Sequence, residues 1–184
     1  MILIIDCGSK KTKEIKKVLG NAGFKNQIKS LSDIDSVEFN KFSGIIISGS
    51  GLSAKSYMNK FKFVKELKIP ILGICFGHQV IGLLYGSEIY TMKRDKGKHE
   101  IELLEESKLF NAHGKNHFFE VENHREAITL PRNFVWLATS NSCKIEAMNH
   151  KKKNIYGVQF HPEVSGENGK QILINFCNIC TSHS

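Results

Sequence analysis

The chain of 184 residues lacks the features that mark membrane, fibrous or disordered proteins. Its 3 prolines and 15 glycines are too few for collagen, and no low-complexity segment interrupts it. The longest apolar runs, such as 44–47 and 69–74, are far shorter than the roughly 20 residues that span a bilayer. Segment 1–6 has neither a basic region nor a long apolar stretch typical of a signal peptide. We therefore expect a globular protein with a cytoplasmic location and no membrane partner.

The cysteines and the charges also argue for an ordinary intracellular protein. The 5 cysteines are an odd number at irregular spacing, and without a secretion signal reduced thiols are expected. Lys and Arg number 26 against 18 Asp and Glu, a formal net charge of +8. The lysines are scattered over amphipathic segments and are not interleaved with aromatic residues as in nucleic-acid-binding surfaces. A nucleic-acid partner is therefore not expected.

Strand-like and helix-like segments alternate along the first half of the chain. Buried-type strands are predicted at 1–6, 44–48 and 70–74, with a weaker one at 24–30, because the first three are apolar runs without alternation. The intervening segments 11–22, 57–67 and 76–84 have apolar residues at helical spacing, as does 168–180. Uninterrupted apolar strands separated by helices are typical of a parallel sheet covered on both faces.

The pattern changes between about residue 86 and residue 160. Segments such as 99–103 and 134–139 alternate apolar and polar residues, which favours antiparallel hairpins. The sequence therefore predicts an α/β fold: an open, mostly parallel, flavodoxin-like sheet with helices on both faces and an antiparallel section. We expect residues 1–184 to form a single domain.

The strand predicted at 70–74 runs directly into Cys75, and a helix is predicted to begin immediately after it. Gly73 and Gly77 flank the cysteine, which gives the Gly-x-Cys-x-Gly pattern of a nucleophile elbow. At the start of a helix, backbone N–H groups favour the thiolate and can stabilise an oxyanion. The segment thus suggests a catalytic cysteine, although a buried cysteine in an ordinary strand-to-helix turn remains an alternative.

A cysteine nucleophile requires a base, and the base requires an orienting group. A strand predicted at 155–160 ends at His161, and Glu163 follows beyond Pro162. The distance along the chain means that pairing with Cys75 depends on the tertiary fold. Spacing alone leaves a purely structural histidine open.

Taken together, the segments Gly-Ile-Cys75-Phe-Gly-His-Gln79 and Gly-Val-Gln-Phe-His161-Pro-Glu163 resemble the signature of the class I, or triad, glutamine amidotransferases. The resemblance extends over essentially the whole chain. Within the family the motifs are similar to those of the glutaminase subunits of two-subunit GMP synthetases.

The resemblance implies hydrolysis of glutamine to glutamate and ammonia through a γ-glutamyl thioester. Cys75 would be the nucleophile, His161 the acid–base residue and Glu163 the group that orients it. The backbone N–H groups of Ser50 and Phe76 would form the oxyanion hole. The residues implied in substrate binding are Gly49, Gln79, Asn123, His124, Arg125 and Glu126.

The resemblance also implies a partner, a separate ATP pyrophosphatase or synthetase subunit that receives the ammonia to make GMP from XMP. No Gly-Lys-Ser/Thr follows the glycines at 49–51, so they are not a Walker loop. We therefore expect no cofactor in this chain and ATP with Mg on the partner. The alternatives are a stand-alone γ-glutamyl hydrolase, an amidotransferase subunit of another synthetase, and an inactive regulatory homologue.

Two segments depart from the usual family pattern. The common Gly-Gly after the third strand is Gly49-Ser50 here, and the synthetase-type Ser-His-x-Asp is replaced by the segment 123–126, Asn-His-Arg-Glu.

Two further clusters have spacings that metal sites also use. Cys177 and Cys180, with His183 beyond, are expected to serve helix packing. His113 and His117 are expected to lie in a loop, because Gly114 stands between them. No metal site is therefore predicted.

Overall fold

The computed structural model describes residues 1–111 and 116–182, and its strands form one continuous sheet. The strands are β1 (Ile2–Asp6), β2 (Asn26–Ser30), β3 (Gly44–Ile47), β4 (Ile71–Ile74), β5 (Ile89–Leu103), β6 (His117–Ile128), β7 (Phe134–Thr139), β8 (Ala147–His150) and β9 (Ile155–Val158). Their order across the sheet is β2-β1-β3-β4-β9-β8-β7-β5-β6.

The sheet has a parallel half and an antiparallel half. Strands β2, β1, β3, β4 and β9 run parallel to one another, whereas β9–β8, β8–β7, β7–β5 and β5–β6 are antiparallel pairs. Strand β9 joins the two halves, because it pairs parallel with β4 on one side and antiparallel with β8 on the other. The carboxyl ends of β1, β3, β4 and β9 therefore meet at one edge of the sheet, the usual place for a binding site in an α/β protein.

Helices cover both faces of the parallel half, as predicted. They are α1 (Thr12–Asn21), α2 (Ala54–Tyr57), α3 (Phe63–Glu66), α4 (Phe76–Leu84) and α5 (Glu167–Ser182). Ile2 and Ile4 of β1 pack in the cluster that includes α1 and α5, whereas Leu3 and Ile5 pack in the cluster that includes α4. Because both faces of β1 are buried, its sequence is an uninterrupted apolar run.

The prediction of one continuous helix over 57–67 is wrong. The segment forms a short helix, a 3-10 turn at Met58–Phe61 and a second short helix at Phe63–Glu66. Phe61 and Val64 are nevertheless fully buried, as the pattern required. The apolar residues are spaced by three, and that spacing suits a 3-10 turn as well as an α-helix.

Two expectations fall partly outside the described residues, since His113, Gly114 and His183 are not among them. Cys177 and Cys180 are buried on α5 in the core, in agreement with a packing role. Within the described ranges, no helix has the length and apolar character that crossing a membrane requires.

Candidate active site

Cys75 occupies a strained turn between β4 and α4. Its backbone lies at φ 51° and ψ −100°, a conformation that residues with a side chain rarely adopt. The flanking glycines are required by close backbone approaches. A Cβ on Gly73 would lie 2.5 Å from the carbonyl oxygen of Gly77, and a Cβ on Gly77 would lie 2.5 Å from that of Ile47. The turn thus has the geometry of a nucleophile elbow at the edge where the parallel strands end.

His161 and Glu163 form a buried pair just after β9. The Nδ1 atom of His161 lies 2.8 Å from Oε1 of Glu163, and both residues are almost completely buried. The backbone of His161 is held on two sides, since its N–H donates to the Val121 carbonyl at 2.9 Å and Ser165 Oγ donates to its carbonyl at 2.7 Å. A carboxylate on Nδ1 leaves the other ring nitrogen, Nε2, for proton transfer.

Gly49 brings the nucleophile and the histidine together. A Cβ on Gly49 would lie 2.9 Å from His161 Cε1 and 3.7 Å from Cys75 Cβ. The absence of a side chain at this position therefore lets the imidazole ring pack against the loop beside the cysteine. The fold thus unites the three residues that the sequence assigned to the catalytic triad, although they come from distant parts of the chain.

Burial and the helix N-terminus act in opposite directions on the pKa of Cys75. The pKa of Cys75 is raised to about 12. Burial is the largest cause, the nearby carboxylates of Glu122 and Glu163 add to the shift, and Lys11 and the Phe76 N–H oppose it. The Phe76 N–H therefore favours the thiolate, as predicted, but desolvation by burial outweighs it. The raised pKa favours the neutral thiol, so attack by the sulfur requires transfer of the thiol proton.

The loop that follows β3 is anchored by serine side chains. Ser50 Oγ donates to the Cys7 carbonyl at 2.5 Å and accepts from the Leu52 N–H at 3.0 Å. Ser48 Oγ accepts from the Cys7 N–H at 3.0 Å. Ser50 does not have a positive φ, so the conformation there tolerates its Cβ. The replacement of the usual glycine therefore fixes this loop to the loop after β1.

A cleft of about 730 Å³ opens at the same edge of the sheet. The residues from the sequence-predicted set that line it are Ser50, Cys75, Gln79, Asn123, His124, Arg125, Glu126 and His161. Gly49 packs against the imidazole ring, and Glu163 is buried with His161. The structure therefore gathers eight of the predicted site residues around one cavity, and Phe76 is buried at the start of α4.

The substrate-binding candidates on β6 and α4 are linked by hydrogen bonds. Gln79 Nε2 donates to the Glu126 carbonyl at 2.8 Å. His124 is buried, its Nδ1 is 3.0 Å from the Glu126 carbonyl, and its Nε2 is 3.1 Å from Glu122 Oε2. The His124 ring is therefore engaged with the protein interior, and Glu126 contacts Gln79 through its backbone.

Several residues of the site were not predicted from the sequence, among them Arg94, Lys11 and Gln159. Arg94 lines the cleft and donates to Asn123 Oδ1 at 2.9 Å, and it lies where β5 bulges between Thr91 and Asp95. Bulges commonly redirect side chains near active sites, but nothing in the local sequence indicates this one. Lys11 also lines the cleft and is half-buried. Gln159 is fully buried and donates to Cys75 Sγ at 3.5 Å.

The position of Gln159 could have been found by strand alternation. Gln159 precedes His161 by two residues, so the two side chains share a face of an extended segment. In the described residues, no group of three or more His, Cys, Asp or Glu side chains is arranged to hold a metal ion.

The fold and the site together define a class of protein: an α/β protein with a cysteine elbow and a buried histidine–glutamate pair. Residues 3–180 match the family model for glutamine amidotransferase class-I. The chain belongs to that family, which confirms the resemblance drawn from the motifs.

Individual relatives of the chain have a more specific description than the family as a whole. The chain is 40% identical over 184 residues to the glutamine-hydrolyzing GMP synthase subunit of Methanococcus aeolicus, covering 98% of this chain and 97% of that one. The protein of the same description from Methanocaldococcus jannaschii is 37% identical, at the same coverage of the two chains.

Solved structures of similar proteins agree with the family and the fold. A crystal structure described as that of a GMP synthase subunit from Thermoplasma acidophilum superposes with a TM-score of 0.90 at 32% identity, covering 98% of this chain and 94% of that one. A glutamine amidotransferase from Thermotoga maritima, at 18% identity and a TM-score of 0.77 over 96% of this chain and 82% of that one, shares the fold.

Proposed function

We propose that this chain hydrolyses glutamine and supplies the ammonia for GMP synthesis by a separate synthetase subunit. The observation that carries the proposal is that Cys75 and the His161 ring both lie beside Gly49, with Glu163 Oε1 2.8 Å from Nδ1 of that ring. The similarity to curated glutamine-hydrolyzing GMP synthase subunits over nearly the whole chain supports the choice of product. We also propose that residues 1–184 act as one domain, for which the continuous sheet is the support.

The reaction begins with attack of Cys75 Sγ on the γ-carboxamide carbon of glutamine. The thiol proton passes to His161 as the C–S bond forms, and the carbonyl oxygen becomes an oxyanion. The backbone N–H groups of Ser50 and Phe76 are the proposed donors to that oxyanion. Glu163 stabilises the imidazolium through its contact with Nδ1.

Collapse of the tetrahedral intermediate then releases ammonia. His161 transfers its proton to the leaving nitrogen, the C–N bond breaks, and a γ-glutamyl thioester remains on Cys75. The neutral His161 next removes a proton from water, which attacks the thioester carbon and forms a second tetrahedral intermediate. Collapse of this second tetrahedral intermediate breaks the C–S bond and releases glutamate, and His161 returns its proton to the sulfur.

The α-amino and α-carboxylate groups of glutamine are assigned to the segment 123–126, together with Gln79. These residues line the same cleft as Cys75. Gly49 would contribute to the wall of the substrate site. Positioning from this segment would hold the carboxamide against the sulfur and supply the orientation on which catalysis depends.

The synthetase partner would hold ATP and Mg and activate XMP. Free ammonia is largely protonated at neutral pH and would be lost to solvent, so docking of the two proteins gives it a protected path. The chain has no Walker motif, which supports placing the nucleotide on the partner.

Reconstitution tests the proposal. The purified chain is mixed with an archaeal GMP synthase synthetase subunit, XMP, ATP and Mg, and GMP is measured with either glutamine or ammonium as the nitrogen source. The wild-type chain should support GMP formation from glutamine. The Cys75→Ala variant should fail with glutamine, while ammonium still supports the synthetase. Equal GMP formation from glutamine by the wild-type chain and Cys75→Ala would overturn the proposal.

A further inference from the structure

We propose that Gln159 is a positioning residue that orients the thiol of Cys75 toward His161. The inference rests on the proposed function for its consequence in catalysis, but its geometry is independent of the substrate. Gln159 Nε2 lies 3.5 Å from Cys75 Sγ, and its Oε1 lies 3.2 Å from Gln79 Nε2. None of the roles described above uses this side chain.

The backbone holds Gln159 in register with the nucleophile. Strands β4 and β9 run parallel with Ile74 opposite Val158, and the Cys75 N–H donates to the Val158 carbonyl at 2.8 Å. On its other side, the Gln159 N–H donates to the Glu146 carbonyl at 2.8 Å. The segment is thus fixed by both neighbouring strands, and the fully buried side chain has little freedom to move away from the sulfur.

The direction of the amide is set by a chain of hydrogen bonds that begins at the Glu126 carbonyl. A carbonyl oxygen only accepts, so the nitrogen of the Gln79 amide must face it, at 2.8 Å. That same nitrogen then donates to Gln159, which requires the oxygen of the Gln159 amide to face Gln79. The nitrogen of Gln159 is left to face Cys75, so the sulfur receives an N–H donor and not a carbonyl oxygen.

A sulfur that accepts from Gln159 has its single hydrogen free to point elsewhere. Because Cys75 and the His161 ring both lie beside Gly49, the S–H can be directed to the base while the Gln159 N–H donates to the sulfur. The same N–H becomes a charge-assisted hydrogen bond once the thiolate forms, and such bonds are stronger than neutral ones. Gln159 would therefore favour both the reactive orientation and the reactive charge state.

The arrangement also ties the nucleophile to the substrate-binding segment. Gln79 uses its amide nitrogen in two hydrogen bonds within the protein, so its oxygen is the atom left to accept from a ligand. The chain from Glu126 through Gln79 and Gln159 to Cys75 thus links one wall of the cleft to the sulfur.

The test is the pH profile of alkylation of Cys75 by iodoacetamide, followed by peptide mass spectrometry so that only this cysteine is read. Gln159→Met keeps the size of the side chain and removes the donor. We expect its profile of alkylation rate against pH to move to higher pH. In the range where the rate rises with pH, Cys75 should react about tenfold more slowly than in the wild type. In the glutaminase assay, kcat should fall by about the same factor while KM for glutamine changes little.

A matched control separates positioning from folding. Asn175→Leu removes another buried amide, one that bonds to the carbonyls of Leu109 and Asn111 away from the cleft. It should lower thermal stability without displacing the alkylation profile. If Gln159→Met does not fold, Gln159→Glu keeps the acceptor for Gln79 but places a carboxylate oxygen at the sulfur, and above neutral pH it should slow alkylation further.

An alkylation profile in the folded Gln159 variant that matches the wild type would overturn the positioning role. Because iodoacetamide reacts with Cys75 whether or not glutamine is a substrate, this outcome is distinct from failure of the proposed function. If the wild type has no glutaminase activity but the alkylation profile of the Gln159 variant is displaced, the proposed function is overturned and the positioning role is supported.

Discussion

Single residues decide whether the nucleophile and its base can meet, and Gly49 is the position where one added carbon would prevent it. A Cβ there would lie 2.9 Å from His161 Cε1, so Gly49→Ala should push the ring out of place. A displacement of about 1 Å in an active site can cost on the order of 10²-fold in rate, and we expect kcat to fall by about that factor. The melting temperature should change little.

Gly51→Ala is the matched control for Gly49→Ala. A Cβ on Gly51 meets nothing within 4 Å, and its φ is not in the left-handed region. Its kcat should therefore stay within about twofold of the wild type, as for most surface substitutions. Equal losses in the two alanine variants would indicate that loop flexibility, and not contact with His161, controls the rate.

The His161–Glu163 pair gives a second prediction at this scale. His161→Ala should lower kcat far more than it raises KM, by about 10²–10⁴-fold, because it removes the acid–base group. Glu163→Gln should cost less, since it retains an acceptor for Nδ1 and loses the charge. The double variant should be little worse than His161→Ala alone, because residues that act as a unit are non-additive. Additive losses would show that Glu163 acts independently of the histidine.

At the scale of elements, the close packing of α4 against the strands depends on glycine. A Cβ on Gly77 would lie 2.5 Å from the Ile47 carbonyl, a backbone atom that cannot move cheaply. Gly77→Ala should therefore lower the free energy of unfolding by about 1–3 kcal/mol, the range typical of overpacked cores. On α1, a Cβ on Gly20 would meet nothing within 4 Å, so Gly20→Ala should raise the free energy of unfolding by about 0.5–1 kcal/mol. Urea unfolding of both variants measures the difference, and a stable Gly77→Ala would contradict the close contact.

The same scale shows what could be predicted from the sequence and what could not. Strand β1 and helix α4 were predictable because unbroken apolar runs and the glycine-flanked cysteine each indicate one local structure. The segment 57–67 was not, because residues spaced by three fit two kinds of helix. The bulge that places Arg94 in the cleft depends on the pairing of β5 with β6, which is set far along the chain. The pKa of Cys75 depends mainly on burial by the whole fold, which outweighs the lowering by the local helix N-terminus and cannot be predicted from the local sequence. The roles of the site residues remain predictions.

At the scale of the whole molecule, buried carboxyl groups should make stability depend on pH. The pKa of Glu122 is raised to about 8. Burial is the main cause, the nearby Asp95 adds to the shift, and Lys11 opposes it. Burial likewise raises the pKa of Glu120 to about 8. Between their ordinary pKa and pH 8 these groups are protonated in the folded chain and ionised in the unfolded one. The folded chain therefore binds more protons than the unfolded chain in this range, and the free energy of unfolding falls as the pH rises through it.

Glu122→Gln tests this dependence, because it removes one titrating group and keeps the shape of the side chain. The slope of unfolding free energy against pH between about 5 and 8 should become less negative by up to about 1.4 kcal/mol per pH unit. Glu105→Gln, at an exposed carboxyl, is the control and should leave the slope unchanged. Identical slopes for the wild type and Glu122→Gln would mean that Glu122 ionises freely in the folded chain.

The central claim is that Cys75 forms a thioester with the γ-carbonyl of glutamine, and covalent trapping tests it most directly. The chain is treated with an electrophilic chloroketone analogue of glutamine, and the adduct is located by peptide mass spectrometry. The account predicts an adduct on Cys75, none on the buried Cys7, Cys143, Cys177 and Cys180, and protection by excess glutamine. An adduct on another cysteine, or labelling of Cys75 that glutamine does not slow, would contradict it.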